Sequence, residues 1–295
     1  MLAPVAQLDR ASGYGPEGRE FKSSPAYNNT DEQCKNGSVV MMELFFIDIL
    51  IISIEEGLMV IELTSAAVKE YGVNAGASVV GVASAADFDQ APEGFKPADA
   101  LPECQSVIVL GLNFPAEVLN DIASYTASRN ESLETVTNIA KKVERRVKAS
   151  GYKAKAISGI GGKSVEKGGR KEWFGHISLK HAAEIAGLGV IGKNYLLTSP
   201  KYGNMLWLSA VLTDARLDPD ERLAPLICDN CDKCVEACPA GALNDRASDG
   251  RASIDKKGCS RYFVIEEKKL KIKCFKCRAV CPRAFGYALD TSPAG

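Results

Sequence analysis

Two long apolar runs stand out against an otherwise mixed chain: Ser106-Val107-Ile108-Val109-Leu110-Gly111-Leu112 and Met205-Leu206-Trp207-Leu208-Ser209-Ala210-Val211-Leu212-Thr213-Asp214. Continuous apolar runs bounded by turn residues predict buried strands, and Ser78-Val79-Val80-Gly81-Val82-Ala83 reads as a third. Helical spacing of apolar positions predicts helices over Ile61 to Tyr71 and Asn130 to Ala149. In the second, Leu133, Val136, Ile139, Val143 and Val147 recur every three or four residues behind Asn130 as N-cap. Its other side carries Lys141, Lys142, Arg145, Arg146 and Lys148, expected to be a solvated face rather than an anion or tRNA site. The order of elements from Met59 predicts a mixed α/β domain over 59–224.

Two glycine-rich segments interrupt this pattern. Ser158-Gly159-Ile160-Gly161-Gly162-Lys163-Ser164 fails the phosphate-loop spacing, because Ile157 occupies the position of the first glycine. A mobile loop running to Gly168-Gly169-Arg170, a lid over a ligand, is the expectation there. The second segment runs from His181 through Ala186-Gly187-Leu188-Gly189-Val190-Ile191-Gly192-Lys193-Asn194 to Tyr202-Gly203 and predicts a helix, a glycine turn and a strand. Residues without a Cβ let backbone approach a flat ligand closely, and helix-to-strand packing uses them equally well.

Composition narrows the class without naming a function. Hydrophobic residues make up 46%, charged residues 25%, and the net charge is -1, which fits a protein with a sizeable core and gives no general basis for binding a polyanion. The stretch Leu44 to Ile52 is apolar but short and contains Asp48, so no membrane span is expected.

Cysteine spacing is the strongest chemical signal. Eight of the ten cysteines lie between Cys228 and Cys281, beginning with Cys228-x2-Cys231-x2-Cys234-x3-Cys238-Pro239. This is the bacterial iron–sulfur run, whose fourth cysteine ligates the other cluster of a two-cluster protein. Cys259 and Cys274-x2-Cys277-x3-Cys281-Pro282 complete the set. Two [4Fe-4S] clusters follow, one held by Cys228, Cys231, Cys234 and Cys281, the other by Cys238, Cys259, Cys274 and Cys277. A ferredoxin-like domain over 225–295 is expected to carry them. Zinc knuckles and a disulfide framework are the competing readings. Reduced thiols without a signal peptide point to the cytoplasm.

Together, the Ala186–Asn194 segment and the cysteine array resemble the epoxyqueuosine reductases and, more distantly, the reductive dehalogenases. The resemblance covers roughly residues 59 to 285. It implies a nitroreductase-like α/β domain binding cobalamin, with FMN as the alternative cofactor, followed by the double-cluster domain. Ala186, Gly187, Leu188, Gly189, Gly192, Lys193, Asn194 and Tyr202 would then contact the corrin. The implied chemistry passes electrons from a ferredoxin or flavodoxin through the clusters to a nucleophilic, low-valent cobalt. The substrate would be a small molecule or a modified nucleoside. An alternative role is an electron-transfer or corrinoid-activating protein without its own substrate.

This chain departs from that family in two places. The acidic general acid expected one helix before the glycine turn falls on Trp173; Glu172 beside it and His181 are the candidate proton donors. The chain also ends at Gly295 without the helical-repeat domain of many epoxyqueuosine reductases, which weighs against tRNA as the substrate. At the other end, Val5–Ala11 and Gly18–Ser23, read back through plausible codons, resemble the two arms of a tRNA gene. Residues 1–58 are therefore expected to be a non-native extension, with translation starting at Met59.

Overall fold

A computed structural model describes residues 54–55, 58–59, 63–159, 162–167, 170–224, 228, 231–243, 253–259 and 274–287. The expected extension 1–58 lies outside them apart from two short antiparallel strands, β1 (Ile54–Glu55) and β2 (Leu58–Met59). Among the described residues no helix is long and apolar enough to cross a membrane.

The centre is an antiparallel sheet in the order β3-β4-β10-β5, formed by β3 (Val79–Ser84), β4 (Ser106–Asn113), β10 (Leu206–Thr213) and β5 (Ala154–Ile157). Antiparallel sheets often show alternation because one face is wet. Here helices cover both faces. Ile108, Leu110 and Val211 pack with Val68 of α1 (Ser65–Ala75) and with Ile139, Val143 and Val147 of α3 (Ile122–Ala149). Val107, Val109, Leu208 and Leu212 point the other way, onto Ala182 and Ala183 of α4 (Leu179–Ile185) and onto Ala186 and Leu188 of the glycine turn. That two-sided burial is why β4 and β10 read as unbroken apolar runs.

Helix boundaries differ from the expected ones for local reasons. α1 begins at Ser65 because the Thr64 hydroxyl accepts from Ala67 N at 3.1 Å, and it ends at Gly76, φ 110°. α3 starts at Ile122, well before Asn130. Asp121 caps it by accepting from Ser124 N at 2.7 Å, and Tyr125 anchors the added turns against Phe114 and Trp207. Asn130 accepts instead from Arg129. The basic face of α3 is exposed as expected, with Lys148 paired to Glu144. A short helix, α2 (Pro97–Ala100), precedes β4.

The glycine-rich segment expected to be a lid is instead a hairpin. β6 (Lys163–Lys167) pairs antiparallel with β7 (Arg170–Phe174), closing from Lys167 to Arg170 across two residues. A Gly-Gly pair between two strands is a two-residue hairpin signal, and that spacing outweighs loop composition.

The edge of β3 is covered by the segment 218–222. Asp220 N donates to Val82 O at 2.8 Å, and the Asp220 carboxylate accepts from Val82 N at 2.9 Å and from Lys69 Nζ at 2.5 Å. Val82 is fully buried, so losing that acceptor strands an amide, whereas the half-exposed lysine pair contributes little. Asp220→Ala is expected to cost about 1–3 kcal/mol, and Asp220→Asn, which keeps an acceptor, clearly less. The urea unfolding midpoints of the two variants check this.

Candidate functional site

Beyond β7, α4 leads into the glycine turn and the short strand pair β8 (Val190–Ile191) and β9 (Leu197–Thr198). Glu184 of α4 accepts from Ile191 N at 2.7 Å and fixes the exit of the turn. The missing Cβ atoms are used inside the protein. A Cβ on Gly187 (φ 68°) would lie 2.3 Å from Glu221 O, and one on Gly189 would lie 2.5 Å from Thr198 O. Ala186, Leu188 and Asn194 are buried, and Tyr202 packs on the core with its hydroxyl donating to Ser78 O at 3.2 Å. Gly192 differs, since its Cβ would meet Cys228 Sγ at 3.4 Å. The turn therefore brings its backbone against the cysteine loop.

Among the described residues the cysteine region carries three short helical turns: α5 (Lys233–Glu236), α6 at 256–259 and α7 (Lys276–Ala279). Cys228, Cys231, Cys234 and Cys281 line one concavity of about 350 Å³, open mouth included, together with Gly192, Lys193, Asn194, Thr198, Lys233, Pro282 and Arg283. Burial pushes the Cys234 thiol up to about 11, and the neighbouring Cys228 and Cys281 thiolates push the same way. Cys281 is raised by burial and by Cys228 and Cys231. Among the described residues no three His, Cys, Asp or Glu side chains converge on a single metal ion.

The remaining cysteines gather beside this set. Burial drives the Cys277 thiol up to about 12; Arg278 opposes the rise, and Cys274, Cys259 and Cys234 add to it. Ala242 N donates to Cys238 Sγ at 3.3 Å, Asp255 N to Ala242 O at 2.8 Å and Cys259 N to Asp255 O at 2.9 Å. These bonds tie the turn carrying Cys259 to the loop carrying Cys238. Each described cysteine is a free thiol.

Asn194 joins the two sets. Its amide donates to Cys277 O at 3.4 Å while its oxygen accepts from Leu196 N at 3.1 Å, and it also lines the Cys228 concavity. Lys193 pairs with Asp232 at 2.6 Å, fastening the turn to the head of α5. His181 lies outside the concavity, half-buried, with Nδ1 2.6 Å from Ser178 Oγ and its ring edge-on to Tyr195. Glu172 stands in β7 opposite Val165, and Trp173 opposite Ser164.

Several residues at the site gave no motif in the sequence. Tyr195 is the one non-glycine residue at positive φ among the described residues, at 58°. Lys180 donates to Tyr195 O and lies 3.6 Å over its ring; burial, with Lys256 and Arg278 adding, pushes the Lys180 ammonium down to about 7. Arg278 is buried against Phe114 and Trp207. A lysine or arginine ordinarily reads as surface, so only a fold could find these.

Cys104 is separate. It is buried in the sheet core, donates to Ser106 O and is pushed up to about 11 by burial. At pH 8 about one thiol in a thousand would be ionised. Iodoacetamide should therefore label Cys104 only on unfolding; rapid labelling of the native chain would contradict its placement.

No family model matches the chain. Epoxyqueuosine reductase of Bacillus cereus is 25% identical over 264 residues, covering 76% of this chain and 65% of that protein. Epoxyqueuosine reductase of Bacillus subtilis is 33% identical over 114 residues, covering 37% of this chain and 29% of the relative. The matched regions thus span less than two thirds of these relatives' lengths. Among solved structures, an epoxyqueuosine reductase with an epoxyqueuosine-modified tRNA-Tyr stem loop superposes with a TM-score of 0.51 at 20% identity, covering 74% of this chain and 64% of that one. A reductive dehalogenase whose structure suggests a mechanism for B12-dependent dehalogenation gives 0.57 at 20% identity, covering 73% and 31%. In sequence the chain is a relative of the epoxyqueuosine reductases, and its fold is one they share with the reductive dehalogenases.

Proposed function

We propose that this chain is an iron–sulfur oxidoreductase of the epoxyqueuosine reductase type. It holds two [4Fe-4S] clusters through crossed ligands, Cys228, Cys231, Cys234 and Cys281 for one and Cys238, Cys259, Cys274 and Cys277 for the other. The observation that carries this is the meeting of Cys281 with the Cys228 run around one concavity. The donor set fits a cluster, which supplies one-electron transfer when bound. Lys193, Lys233 and Arg283 line the same wall and oppose the negative charge of four thiolates. Asn194 and the Lys193–Asp232 pair hold the two parts of the chain in register.

Kinship proposes cobalamin as the electron acceptor and a modified tRNA nucleoside as the substrate class. The fit to a corrin is poorer than the fit to clusters. Ala186, Leu188 and Asn194 are buried, and Gly187 and Gly189 are spaced for Glu221 and Thr198. That inward packing favours a second reading, an electron carrier that reduces a corrinoid held by another protein.

Anaerobic reconstitution with iron and sulfide tests the first claim. About eight iron atoms per chain, four in each cluster, and two reducible EPR signals are expected; zinc in place of iron would overturn it. Titration with cob(II)alamin, and with FMN as the alternative, separates the two readings. A shifted corrin spectrum and reduction of an epoxyqueuosine stem loop support the enzyme. Reduction of a corrinoid protein without corrin binding supports the carrier.

A further inference from the structure

Arg278 follows Cys277 directly in the chain and is 3% exposed. Its guanidinium carbon lies 5.0 Å from the ring centroids of both Phe114 and Trp207. Nε and Nη1 have no hydrogen-bond partner among the described residues, and none of the ion pairs found there includes this side chain. A buried, unpaired cation is costly, and aromatic faces offset only part of that cost. A second guanidinium carbon, that of Arg129, lies 5.6 Å from the Trp207 ring centroid, so the pocket is cationic and calls for an anion. The backbone here is pinned: Arg278 N donates to Phe275 O at 2.9 Å, Arg278 O accepts from Asn204 Nδ2 at 3.5 Å, and Cys277 O accepts from Asn194. Among the described residues the anionic group beside this placement is the thiolate set that includes Cys277, whose thiol the Arg278 charge pulls down against the rise from burial.

We infer that Arg278 is the buried counter-charge of the cluster held through Cys277 and raises its reduction potential. The inference rests on the cluster assignment proposed above. A four-iron cluster with its four thiolates carries one more negative charge after accepting an electron from a low-potential donor of the ferredoxin or flavodoxin class. Arg278 favours that state because a fixed positive charge in a poorly screened interior stabilises added negative charge, and net charge and burial set such potentials. Arg278 is a positioning residue in this role: it exchanges no electron and no proton.

The test is an EPR-monitored reductive titration of the reconstituted full chain with dithionite and mediators, after iron has been counted on the same sample. Arg278→Gln should lower the reduction equilibrium constant of one cluster about tenfold, which is 59 mV for a one-electron couple, and leave the other within about threefold. The shifted signal should be the one that Cys277→Ala removes. Arg278→Lys, which keeps the charge, should stay within about threefold of the parent. Equal shifts in the Gln and Lys variants would reduce Arg278 to a packing role and overturn the inference, as would unmoved potentials in a Gln variant holding both clusters. A parent chain that binds no iron would sink the cluster assignment instead. If Arg278→Gln assembles no clusters, pulsed ENDOR of the reduced parent labelled with ¹⁵N-arginine decides: a nitrogen coupling to one cluster is expected, and its absence overturns the inference.

Discussion

Cys281→Ala is expected to abolish the same cluster as Cys234→Ala and to leave the cluster of Cys274 and Cys277 in place. Nearness in sequence predicts the opposite, because Cys281 follows Cys277 by four positions and lies far along the chain from Cys234. The fold reverses this. Cys281 shares its cavity wall with Cys228, Cys231 and Cys234, and the thiolates that raise it are those of Cys228 and Cys231. Cys277 instead feels Cys274 and Cys259 more strongly than Cys234. A four-iron cluster missing one thiolate is commonly lost whole, so iron should fall by about four atoms per chain in either variant. One EPR signal should vanish in Cys281→Ala and the other in Cys277→Ala. Loss of the same signal in those two variants would mean that each run ligates its own cluster, and the crossed assignment would fail.

How much of this was legible in the sequence follows from the range of each interaction. Ligand spacing around a cluster is set by local loop geometry, so the cysteine runs carry their meaning in a few residues, Pro239 and Pro282 included. The two central strands were legible because burial on both faces leaves Val107 to Leu110 and Leu208 to Leu212 no reason to alternate. The start of α3 was not, since residues 122–131 are mostly small and polar and their helix depends on Tyr125 reaching Phe114 across the fold. The hairpin of β6 and β7 is written in the strand spacing on either side of Gly168-Gly169, a signal that glycine content alone hides. Gly187 and Gly189 read as places where backbone comes close to another group, and the fold names the carbonyls of Glu221 and Thr198 there. Arg278, buried, and Lys180, part-buried, have no signature in the sequence, because nothing there separates a cation held in the fold from a solvated one.

Gly203→Ala is expected to loosen the end of the cysteine region from the α/β part and to weaken the Cys281 cluster with it. Ser199 and Gly203 exchange backbone hydrogen bonds at 2.7 and 2.8 Å, closing a tight bend over Pro200 to Tyr202. Residues 283–287 lie against that bend: Asn204 N donates to Ala284 O at 3.0 Å and Tyr287 N to Pro200 O at 2.8 Å. The fit depends on a glycine from each side. A Cβ on Gly203 would lie 2.2 Å from Ala284 O, and one on Gly286 would lie 2.6 Å from Pro200 O. Gly203 also sits at φ 53° and Gly286 at φ 117°, so a side chain meets backbone strain as well as a clash. Left-handed backbone costs a non-glycine residue about 1–2 kcal/mol, and forcing packed groups apart adds about 1–3 kcal/mol. A loss of about 2–5 kcal/mol by urea unfolding is therefore expected. Because Cys281 stands two residues before Arg283, the displaced segment should carry its thiol away from the concavity. The EPR signal that Cys281→Ala removes should then weaken selectively in Gly203→Ala, while the signal of the other cluster persists. An unchanged midpoint with both signals intact would show that the bend tolerates a Cβ and that the Cys281 loop is held by its cluster alone.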